Sequence, residues 1–546
     1  MSRRLTKRLS VKEVLAQVSG HEECPEIKIE IEEDVSEVKD NRDFDPDFEE
    51  TDQSTDGEGE APEEQAPEET LQSKSGHLLW SSSLLGKGKS PRGRARVKNI
   101  KMTPGPTQYA ISRVDDIKSS FQLFLPESIE EIILEMTNLE GKHVFGDTWR
   151  EIDLVDLQAY IGLLILAELW DAESGTPIFR ATMSLEQFHV LSRTIRFDNR
   201  DTRPVRWRND KLAAIRNIWD WCGVPTTYNP GPEVTVDERL VPFRDRCSFK
   251  VYNPGKPGKC GIKIWLACDT RSSYAWNMQA YMGKPSTERA EEDQGMHVVL
   301  DMATSFRGHN ITCDNFFTSY ALGQELLKRK LTMAGTVKKN KPELPPVLVS
   351  TRGREARSSK FAFTDTHALV SYVPKKNTNV ILMSMLHKDA AVSTTEDRKP
   401  LMIQDYNKNK GAVDCLDKLT GTYTCKQMTA RWPVALFHNI LNVSAFNAYV
   451  VWTAIDPTWN QGKTELGKAL VTPLIQRRQH IPASASLVKS VQAPALALPQ
   501  QGHEQKRKRC ELCAPRDNKT RLRCCKCDAY VSKGHSHLSV TCHSCG

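Results

Sequence analysis

The chain has 546 residues, of which 39% are apolar and 26% charged, and its formal net charge is +6. So low an apolar content at this length excludes one continuous core and predicts several folded units joined by unfolded segments. The most apolar stretch, residues 152–170, contains three acidic residues. It is too interrupted to cross a membrane and is predicted to be a buried helix.

The charge is distributed unevenly along the chain. Residues 22–69 hold 22 acidic and 3 basic residues, which leaves 72 basic against 47 acidic residues for the remainder. A folded body this basic predicts a polyanionic partner, most often nucleic acid, although a merely solvated basic surface has the same composition. The first 20 residues are basic without an apolar run, so no secretory signal is expected.

Residues 1–108 are predicted to be mostly disordered, because the acidic run buries too little apolar surface to offset its ordering entropy. A basic stretch rich in small residues follows at 87–101. Such a stretch suits a DNA-contacting arm or a nuclear-import patch, and an ordinary charged linker is equally compatible with it.

Residues 109–232 have a helical pattern, with candidate helices at 129–134, 154–169 and 185–195. A charged loop is predicted at 200–208, where four arginines are interleaved with one tryptophan. That pattern suits phosphate contact and base stacking, and it equally suits an arginine that stacks on a structural tryptophan.

Residues 233–340 change to a mixed α/β pattern, with several strands, then a helix, a strand, a helix and another strand. Residues 341–400 are predicted to be an inserted β structure. Residues 401–424 return to helix, 425–474 continue as helix, and 475–509 form a low-complexity linker that ends in a basic cluster.

Four carboxylates stand out in the α/β part of the chain. Asp237 lies inside the first strand, Asp314 ends the strand 310–313, and Asp414 and Asp417 lie three apart on one helix face. Phosphoryl-transfer enzymes use carboxylates from different elements to hold two Mg²⁺ ions roughly 3.5–4 Å apart. Taken alone, Asp314 followed by asparagine is better explained as turn chemistry. A helix is predicted over about residues 320–330, with Leu322 and Leu326 four apart on one face and a hydroxyl cap at residue 318 or 319.

Six segments in order closely resemble the piggyBac DNA transposases. The resemblance extends from about residue 110 to the C-terminus and is carried by 235–244 (TVDERLVPFR), 253–263 (NPGKPGKCGIK), 310–319 (NITCDNFFTS), 335–341 (GTVKKNK), 405–417 (DYNKNKGAVDCLD) and 431–433 (RWP).

The resemblance implies an α/β RNase H-like catalytic domain, formed by 233–340 and 401–424 and split by the β-rich insertion. It also implies an all-α dimerisation and DNA-binding domain built from 109–232 and 425–474. The family's catalytic triad falls on Asp237, Asp314 and Asp414, with Asp417 a fourth acid near two Mg²⁺ ions. Lys338 and Lys341 fall in a family segment that contacts DNA, which suits lysine as a phosphate-binding point charge; a basic surface turn is the alternative.

The C-terminal residues 510–546 have the spacing of a zinc site. Of 15 cysteines, 7 lie between residues 510 and 545, which predicts a local metal site in a reducing compartment. The resemblance implies a two-zinc cross-brace that recognises transposon-end DNA. Where relatives carry a further cysteine this chain has Ser532, so His537 is the candidate replacement. The predicted zinc ligands are Cys510, Cys513, Cys524, Cys527, His535, His537, Cys542 and Cys545.

Three functions are compatible with these features. The first is a nuclear cut-and-paste transposase, which by resemblance acts as a dimer on double-stranded DNA, forms a hairpin intermediate and joins a TTAA target. The second is a domesticated derivative that binds DNA without cutting it. The third, which the basic body and the acids disfavour, is a protein-interaction module of RING or PHD type on an inert body.

Overall fold

The structure is a computed structural model. It describes residues 70–83, 100, 102–167, 176–221, 226–283, 293–422, 424–458 and 462–478, and the short strands 508–509 and 519–520. The chain divides into two compact units, residues 1–483 and 484–546. In the second unit the described part is an antiparallel pair in which Lys508 faces Thr520. All eight predicted zinc ligands lie outside the described residues.

The first unit contains fifteen α-helices within its described residues. They are α1 Gln108–Ile111, α2 Ile117–Gln122, α3 Glu127–Phe145, α4 Leu154–Leu166, α5 Thr176–Thr182, α6 Leu185–Thr194, α7 Arg203–Trp207, α8 Arg216–Trp221, α9 Gln294–Met302, α10 Tyr320–Lys328, α11 Pro346–Val349, α12 Leu401–Asn409, α13 Ala412–Thr422, α14 Trp432–Ile455 and α15 Lys463–Arg477.

Thirteen strands accompany these helices in the described part of the first unit. They are β1 Thr70–Gln72, β2 Leu79–Ser81, β3 Gly105–Pro106, β4 Tyr228–Asn229, β5 Glu233–Pro242, β6 Lys250–Tyr252, β7 Cys260–Asp269, β8 Ala275–Ala280, β9 Asn310–Cys313, β10 Thr332–Thr336, β11 Ser358–Phe363, β12 Ala368–Val373 and β13 Val380–Ser384. The pair β3–β4 forms a separate two-stranded sheet, and so do β14 Lys508–Arg509 and β15 Lys519–Thr520 of the second unit.

Helices α4 and α15 pack closely, although 296 residues lie between the end of α4 and the start of α15 in the sequence. A Cβ atom on Gly162 would lie 2.8 Å from Val471 Cγ1, and one on Gly467 would lie 2.5 Å from Leu166 Cγ. Glycine therefore lets the two helices touch. Since α4 precedes strands β5 to β13 and α15 follows them, helices from both sides of these strands in the sequence share one core.

An eleven-stranded mixed sheet forms the centre of the unit, in the order β1-β2-β11-β12-β13-β10-β9-β5-β7-β6, with β8 paired to β7. Strands β5, β9 and β10 run parallel, and the pairings of β7 with β5 and of β13 with β10 are antiparallel. Parallel neighbours require crossover connections, and β9 reaches β10 through helix α10. The resulting α/β architecture matches the predicted mixed layer.

The predicted β insertion is made of strands, but it is continuous with the central sheet. Strand β13 pairs directly with β10, and β12 and β11 extend the sheet outward. All six residues of β12 are buried. Helix α12 covers this part of the sheet through Met402, Ile403 and Tyr406, so the inserted strands and the returning helix share a core.

The prediction of an unfolded chain up to residue 108 needs correction at residues 70–83. These residues form the hairpin β1–β2, which joins the sheet where Ser81 pairs with Phe363 of β11. Trp80 supplies the missing apolar contact, because its side chain is completely buried. Residues 102–108 are also described, and Thr107 caps α1.

Helix α14 is the one described helix long and apolar enough to span a membrane by length and composition, but 94% of its apolar window is buried inside the fold. The predicted helix at 154–169 corresponds to α4, nine of whose residues are buried. Both helices are core elements of the unit.

Candidate active site

Asp237 and Asp314 lie at adjacent positions of two parallel strands. Val236 of β5 is in register with Cys313 of β9, and each aspartate follows its member of that pair. Strand β9 ends at this point, so Asp314 lies at the carboxyl edge of a parallel strand, where open α/β sheets place their ligand sites. Both side chains are partly buried.

Hydrogen bonds within the turn that follows β9 fix the position of Asp314. The Phe316 N–H donates to Asp314 Oδ1 at 2.9 Å, and Thr318 Oγ1 donates to the Asp314 carbonyl at 2.8 Å. Ser319 then caps α10, as predicted, by accepting from the Leu322 N–H at 3.1 Å. The turn explanation and the site explanation of Asp314 are therefore compatible.

Gly335 of β10 makes room for this turn. A Cβ atom there would lie 2.1 Å from Thr318 Oγ1 and 2.6 Å from the Cys313 carbonyl oxygen. A larger residue would displace Thr318 and, with it, the support of Asp314. The glycine is required by close approach between the turn and the neighbouring strand.

Helix α13 carries the other two predicted acids against the same part of the sheet. Its buried face includes Val413 and Leu416 and packs on β5 and β7. Asp414 is highly exposed, with 70% of its side chain accessible. Asp417 instead pairs with Arg239, whose Nε lies 3.0 Å from Asp417 Oδ1.

Arg239 lies two residues after Asp237 and therefore on the same face of β5. It is buried, and its Nη2 donates to Thr420 Oγ1 at 2.8 Å. Burial lowers the pKa of Arg239, and Asp417 counteracts that shift. Arg239 thus attaches α13 to β5 through Asp417 and Thr420, next to the position of Asp414.

The acids are electrostatically coupled. Burial, together with the negative charges of Asp314 and Asp414, raises the pKa of Asp237 to about 7. Burial also raises the pKa of Asp314, as does Glu238, while the Phe316 amide, Lys263 and Lys338 oppose that shift. Carboxylates whose charges raise the pKa of a neighbouring acid in this way stand close together without enough positive charge between them.

The donor set fits a hard divalent cation. Carboxylate oxygens are the ligands that Mg²⁺ prefers, and a cation would relieve the repulsion that raises the pKa of Asp237. Among the described residues, no three histidine, cysteine or acidic side chains already stand in a ready metal-binding cluster. The residues therefore fit the metal chemically, and Asp414 is the exposed member of the set.

Sequence reasoning missed Lys256, Lys263 and Glu238 as neighbours of these acids. Lys256 projects from the loop between β6 and β7; its Nζ donates to the Glu238 carbonyl at 3.3 Å and lies 4.0 Å from Asp414 Oδ1. Burial would lower the pKa of Lys256, but the charges of Asp237 and Asp414 raise it. The sequence signal was the 253–263 segment, which carries the family resemblance without indicating where its lysines point.

Two contacts fix the carboxylate of Glu238, the charge of which raises the pKa of Asp314. The Glu238 carboxylate accepts from Asn253 Nδ2 at 3.1 Å and forms an ion pair with Lys263. Lys263 Nζ lies 4.8 Å from the centroid of the Phe316 ring, and Lys338 Nζ lies 5.9 Å from the same centroid. Phe316 therefore presents its ring to two cations, while Phe317 is the buried member of the pair.

Lys338 lies at the edge of the acidic site, where its positive charge opposes the rise in the pKa of Asp314. Lys341 lies in the following turn, where its N–H donates to the Lys338 carbonyl at 3.2 Å. Lys338 is exposed and Lys341 is half-buried. The structure thus brings the two candidate DNA-binding residues together at the end of β10.

Residues 200–208 were predicted to be a loop, but residues 203–207 form helix α7. Arg203 Nε donates to Asp198 Oδ2 at 3.0 Å, and Arg206 Nη1 donates to the Ala213 carbonyl at 2.7 Å. The Trp207 ring lies 6.3 Å from that of Trp432. Arg203 and Arg206 therefore have structural partners, although these partners are a carboxylate and a carbonyl and not the predicted tryptophan ring.

Asp237 within β5, Asp314 after β9 and Asp414 on α13 thus share one electrostatic environment, with lysines around them. The family model described as Transposase IS4 matches residues 118–449. The chain belongs to the piggyBac-type transposase family.

Two human proteins resemble the chain over part of its length. It is 24% identical over 343 residues to the human protein "PiggyBac transposable element-derived protein 3", covering 57% of each chain. It is 22% identical over 415 residues to the human "PiggyBac transposable element-derived protein 2", covering 67% of this chain and 66% of that one. The chain therefore spans between half and two thirds of the length of these relatives.

A solved structure is similar over most of the fold. It is a cryo-EM structure of the piggyBac transposase synaptic complex with hairpin DNA, with a TM-score of 0.67 and 30% sequence identity. The match covers 82% of this chain and 100% of that one.

Proposed function

We propose that the chain is a metal-dependent DNA transposase that cleaves transposon ends and transfers them to a target. The observation that carries the proposal is the register of Val236 with Cys313, which sets Asp237 beside Asp314 within electrostatic reach of Asp414. The similar synaptic complex contains hairpin DNA, which supports a DNA substrate for this site.

Asp237, Asp314 and Asp414 would hold two Mg²⁺ ions in an RNase H-like catalytic domain. When bound, such ions activate the attacking oxygen and stabilise the leaving oxygen of a phosphodiester. The aspartates would supply the negative charge that retains the ions beside β5 and β9. Asp417, paired with Arg239, would hold α13 against β5 and so keep Asp414 within electrostatic reach of Asp237.

The lysines around the acids would bind the DNA backbone. Lys263 and Lys338 flank the Phe316 ring, and Lys341 extends the basic surface beyond β10. Ammonium groups are sequence-independent phosphate ligands. This arrangement lets a polyanion approach a site whose own acids would otherwise repel it.

Further features of the proposal come from the family. They comprise a homodimer that pairs two transposon ends, a hairpin intermediate, a TTAA target and a nuclear location. The cysteine-rich residues 510–546 would bind two Zn²⁺ ions and recognise end DNA.

The second candidate is a domesticated protein that binds DNA without cutting it. The observation that favours it is that the two human relatives are named as transposable element-derived proteins. Cleavage separates the two candidates. The full chain, incubated with Mg²⁺ and DNA carrying the sequences that flank its own coding region, is expected to nick the element ends. Binding without nicking would support the domesticated alternative.

Asp237→Asn is expected to stabilise the metal-free protein at pH 8. The folded state keeps a proton on Asp237 up to a pKa of about 7, whereas the ordinary value is 3.8. Stability is therefore lost as pH rises through this window, and the cost is fully present above it. At roughly 1.4 kcal/mol per pKa unit, the change from 3.8 to about 7 corresponds to a gain in stability of at most about 4 kcal/mol. Because Asp237 is partly exposed to solvent, a gain of about 2 kcal/mol is expected.

Chemical denaturation at pH 5 and pH 8 measures this effect. The stabilising difference should be fully present at pH 8 and less than half as large at pH 5, since pH 5 lies inside the window between 3.8 and about 7. Mg²⁺ should raise the stability of the wild type more than that of the variant, since Asn carries no charge to neutralise. The exposed Asp301, on α9, provides the control Asp301→Asn. Equal stabilities of the wild type and Asp237→Asn at pH 8 would contradict the electrostatic description of the site.

Lys256→Met is expected to tighten divalent-metal binding roughly tenfold, since a charge that competes with the metal for Asp237 and Asp414 is removed. Isothermal titration with Mn²⁺ measures the change. Lys259→Met is the matched control, because Lys259 lies in the same loop and is exposed. If both variants bind Mn²⁺ like the wild type, Lys256 does not act as a counter-ion of the acids.

A further inference from the structure

The hairpin 70–83 packs against residues 338–344, which follow β10 and include both candidate DNA-binding lysines. The Lys74 N–H donates to the Leu344 carbonyl at 3.1 Å, and the Ser75 N–H donates to the Pro342 carbonyl at 3.1 Å. Trp80 Nε1 donates to the Glu343 carbonyl at 3.1 Å. Successive carbonyl groups of the loop are thus bound by a segment more than 250 residues earlier in the chain.

A second set of contacts links the hairpin to the helix that follows the Asp314 turn. The Trp80 ring meets Tyr320 edge-on, with centroids 6.0 Å apart. Tyr320 is the first residue of α10, and its N–H donates to Glu343 Oε1 at 3.1 Å. Trp80, Glu343 and Tyr320 therefore form one packed group that joins the hairpin, the loop and the N-terminus of α10.

The hairpin itself is locally well formed. Gly76 has a φ of +74°, which favours glycine in this turn. The Ser73 hydroxyl accepts from the Leu78 N–H at 3.1 Å, and the Ser73 carbonyl accepts from the Gly76 N–H at 2.9 Å. The turn therefore presents Lys74 and Ser75 to the loop in a defined conformation.

We propose that residues 70–83 are a positioning brace for the loop 338–344, which holds Lys338 and Lys341 at the edge of the catalytic site. The proposal rests on the proposed DNA-binding role of these lysines. Lys338, Lys339 and Asn340 are exposed, so burial of their own side chains does not order the loop. The brace reduces the conformational freedom that the loop would lose on binding DNA, and thus strengthens phosphate contact.

The test compares two adjacent residues of β2 in the full chain. Trp80→Ala removes the packed ring and its hydrogen bond, whereas Leu79→Ala changes a side chain that is 64% exposed. Binding to a short duplex DNA is measured at several salt concentrations, and hydrogen exchange is measured over residues 338–344. Trp80→Ala should speed exchange in the loop, weaken binding about tenfold and reduce the salt slope by about one. Leu79→Ala should match the wild type.

A milder variant covers the case in which Trp80→Ala unfolds the chain. Trp80→Phe keeps an aromatic ring and loses the bond to the Glu343 carbonyl, so faster exchange in the loop is expected with a twofold to threefold loss of affinity, as roughly half a kcal/mol implies. Unchanged exchange of residues 338–344 in both folded Trp80 variants would overturn the brace.

A double-variant comparison separates this inference from the function on which it rests. In a Lys338→Ala/Lys341→Ala background, Trp80→Ala should cause no further loss of DNA affinity. If that background binds DNA like the wild type, the proposed role of the lysines fails, while the exchange measurement still decides whether the hairpin orders the loop. If Trp80→Ala weakens binding equally in both backgrounds, the hairpin does not act through these lysines and the brace is overturned.

Discussion

Asp314→Asn is expected to reduce Mg²⁺-dependent cleavage of transposon-end DNA on the order of a thousandfold or more. The substitution removes the charge of the carboxylate that ends β9, beside Asp237. The turn should survive, because the amide oxygen of asparagine can still accept from the Phe316 N–H, as Asp314 Oδ1 does at 2.9 Å. Loss of activity would then report the missing charge rather than a displaced turn.

Cleavage of end-labelled DNA under single-turnover conditions measures this effect, with DNA binding measured in parallel. DNA affinity should be kept or increased, since a negative charge is removed from a DNA-facing site. Asp301→Asn serves again as the control, because Asp301 is an exposed acid on α9. Cleavage by Asp314→Asn at the rate of the wild type would exclude Asp314 from the reaction.

Arg239→Met is expected to destabilise the fold by about 3 kcal/mol at pH 8. Arg239 is buried and pairs with Asp417 at 3.0 Å. Methionine fills a similar volume but leaves the Asp417 carboxylate without its partner cation. Burial already raises the pKa of Asp417, and Arg239 opposes that shift. Removing Arg239 raises the pKa further, so the destabilisation grows as pH rises and diminishes when Asp417 is protonated.

Denaturant unfolding of three variants tests this pairing. Arg239→Met combined with Asp417→Leu should recover most of the loss, because the unpaired charge is removed together with its partner. Arg244→Met, an exposed position just beyond β5, is the control. If the double variant is as unstable as Arg239→Met alone, the loss arises from packing around Arg239 and not from an isolated carboxylate.

The turn at Asp314 was predictable because its determinants are local. A buried run, an Asx residue, a hydroxyl cap and apolar residues four apart lie within twenty positions of one another. The structure accordingly has β9, the Ser319 cap and α10 where the pattern placed them. The buried helices α4 and α14 follow from apolar content in the same way.

The four acids were singled out from their elements and from the family resemblance, but their different surroundings were not foreseen. Asp237 is coupled to Asp314 and Asp414, whereas Asp417 is paired with Arg239. All four residues are aspartates, so their side chains are chemically identical in the sequence. What separates them is the burial of each side chain and the identity of its neighbour across the sheet, which depend on β5 meeting α13.

The sequence by itself determined the local elements, the uneven charge and the acids available for metal binding, because each depends on residues close together in the chain. The tertiary structure alone decided that Lys256 reaches the acids, that the inserted strands continue the catalytic sheet, and that Trp80 packs beside the Lys338–Lys341 loop. Those contacts join distant positions, 263 residues apart for Trp80 and Glu343. They depend on shape and burial that emerge only when the strands are assembled, so no local pattern signals them.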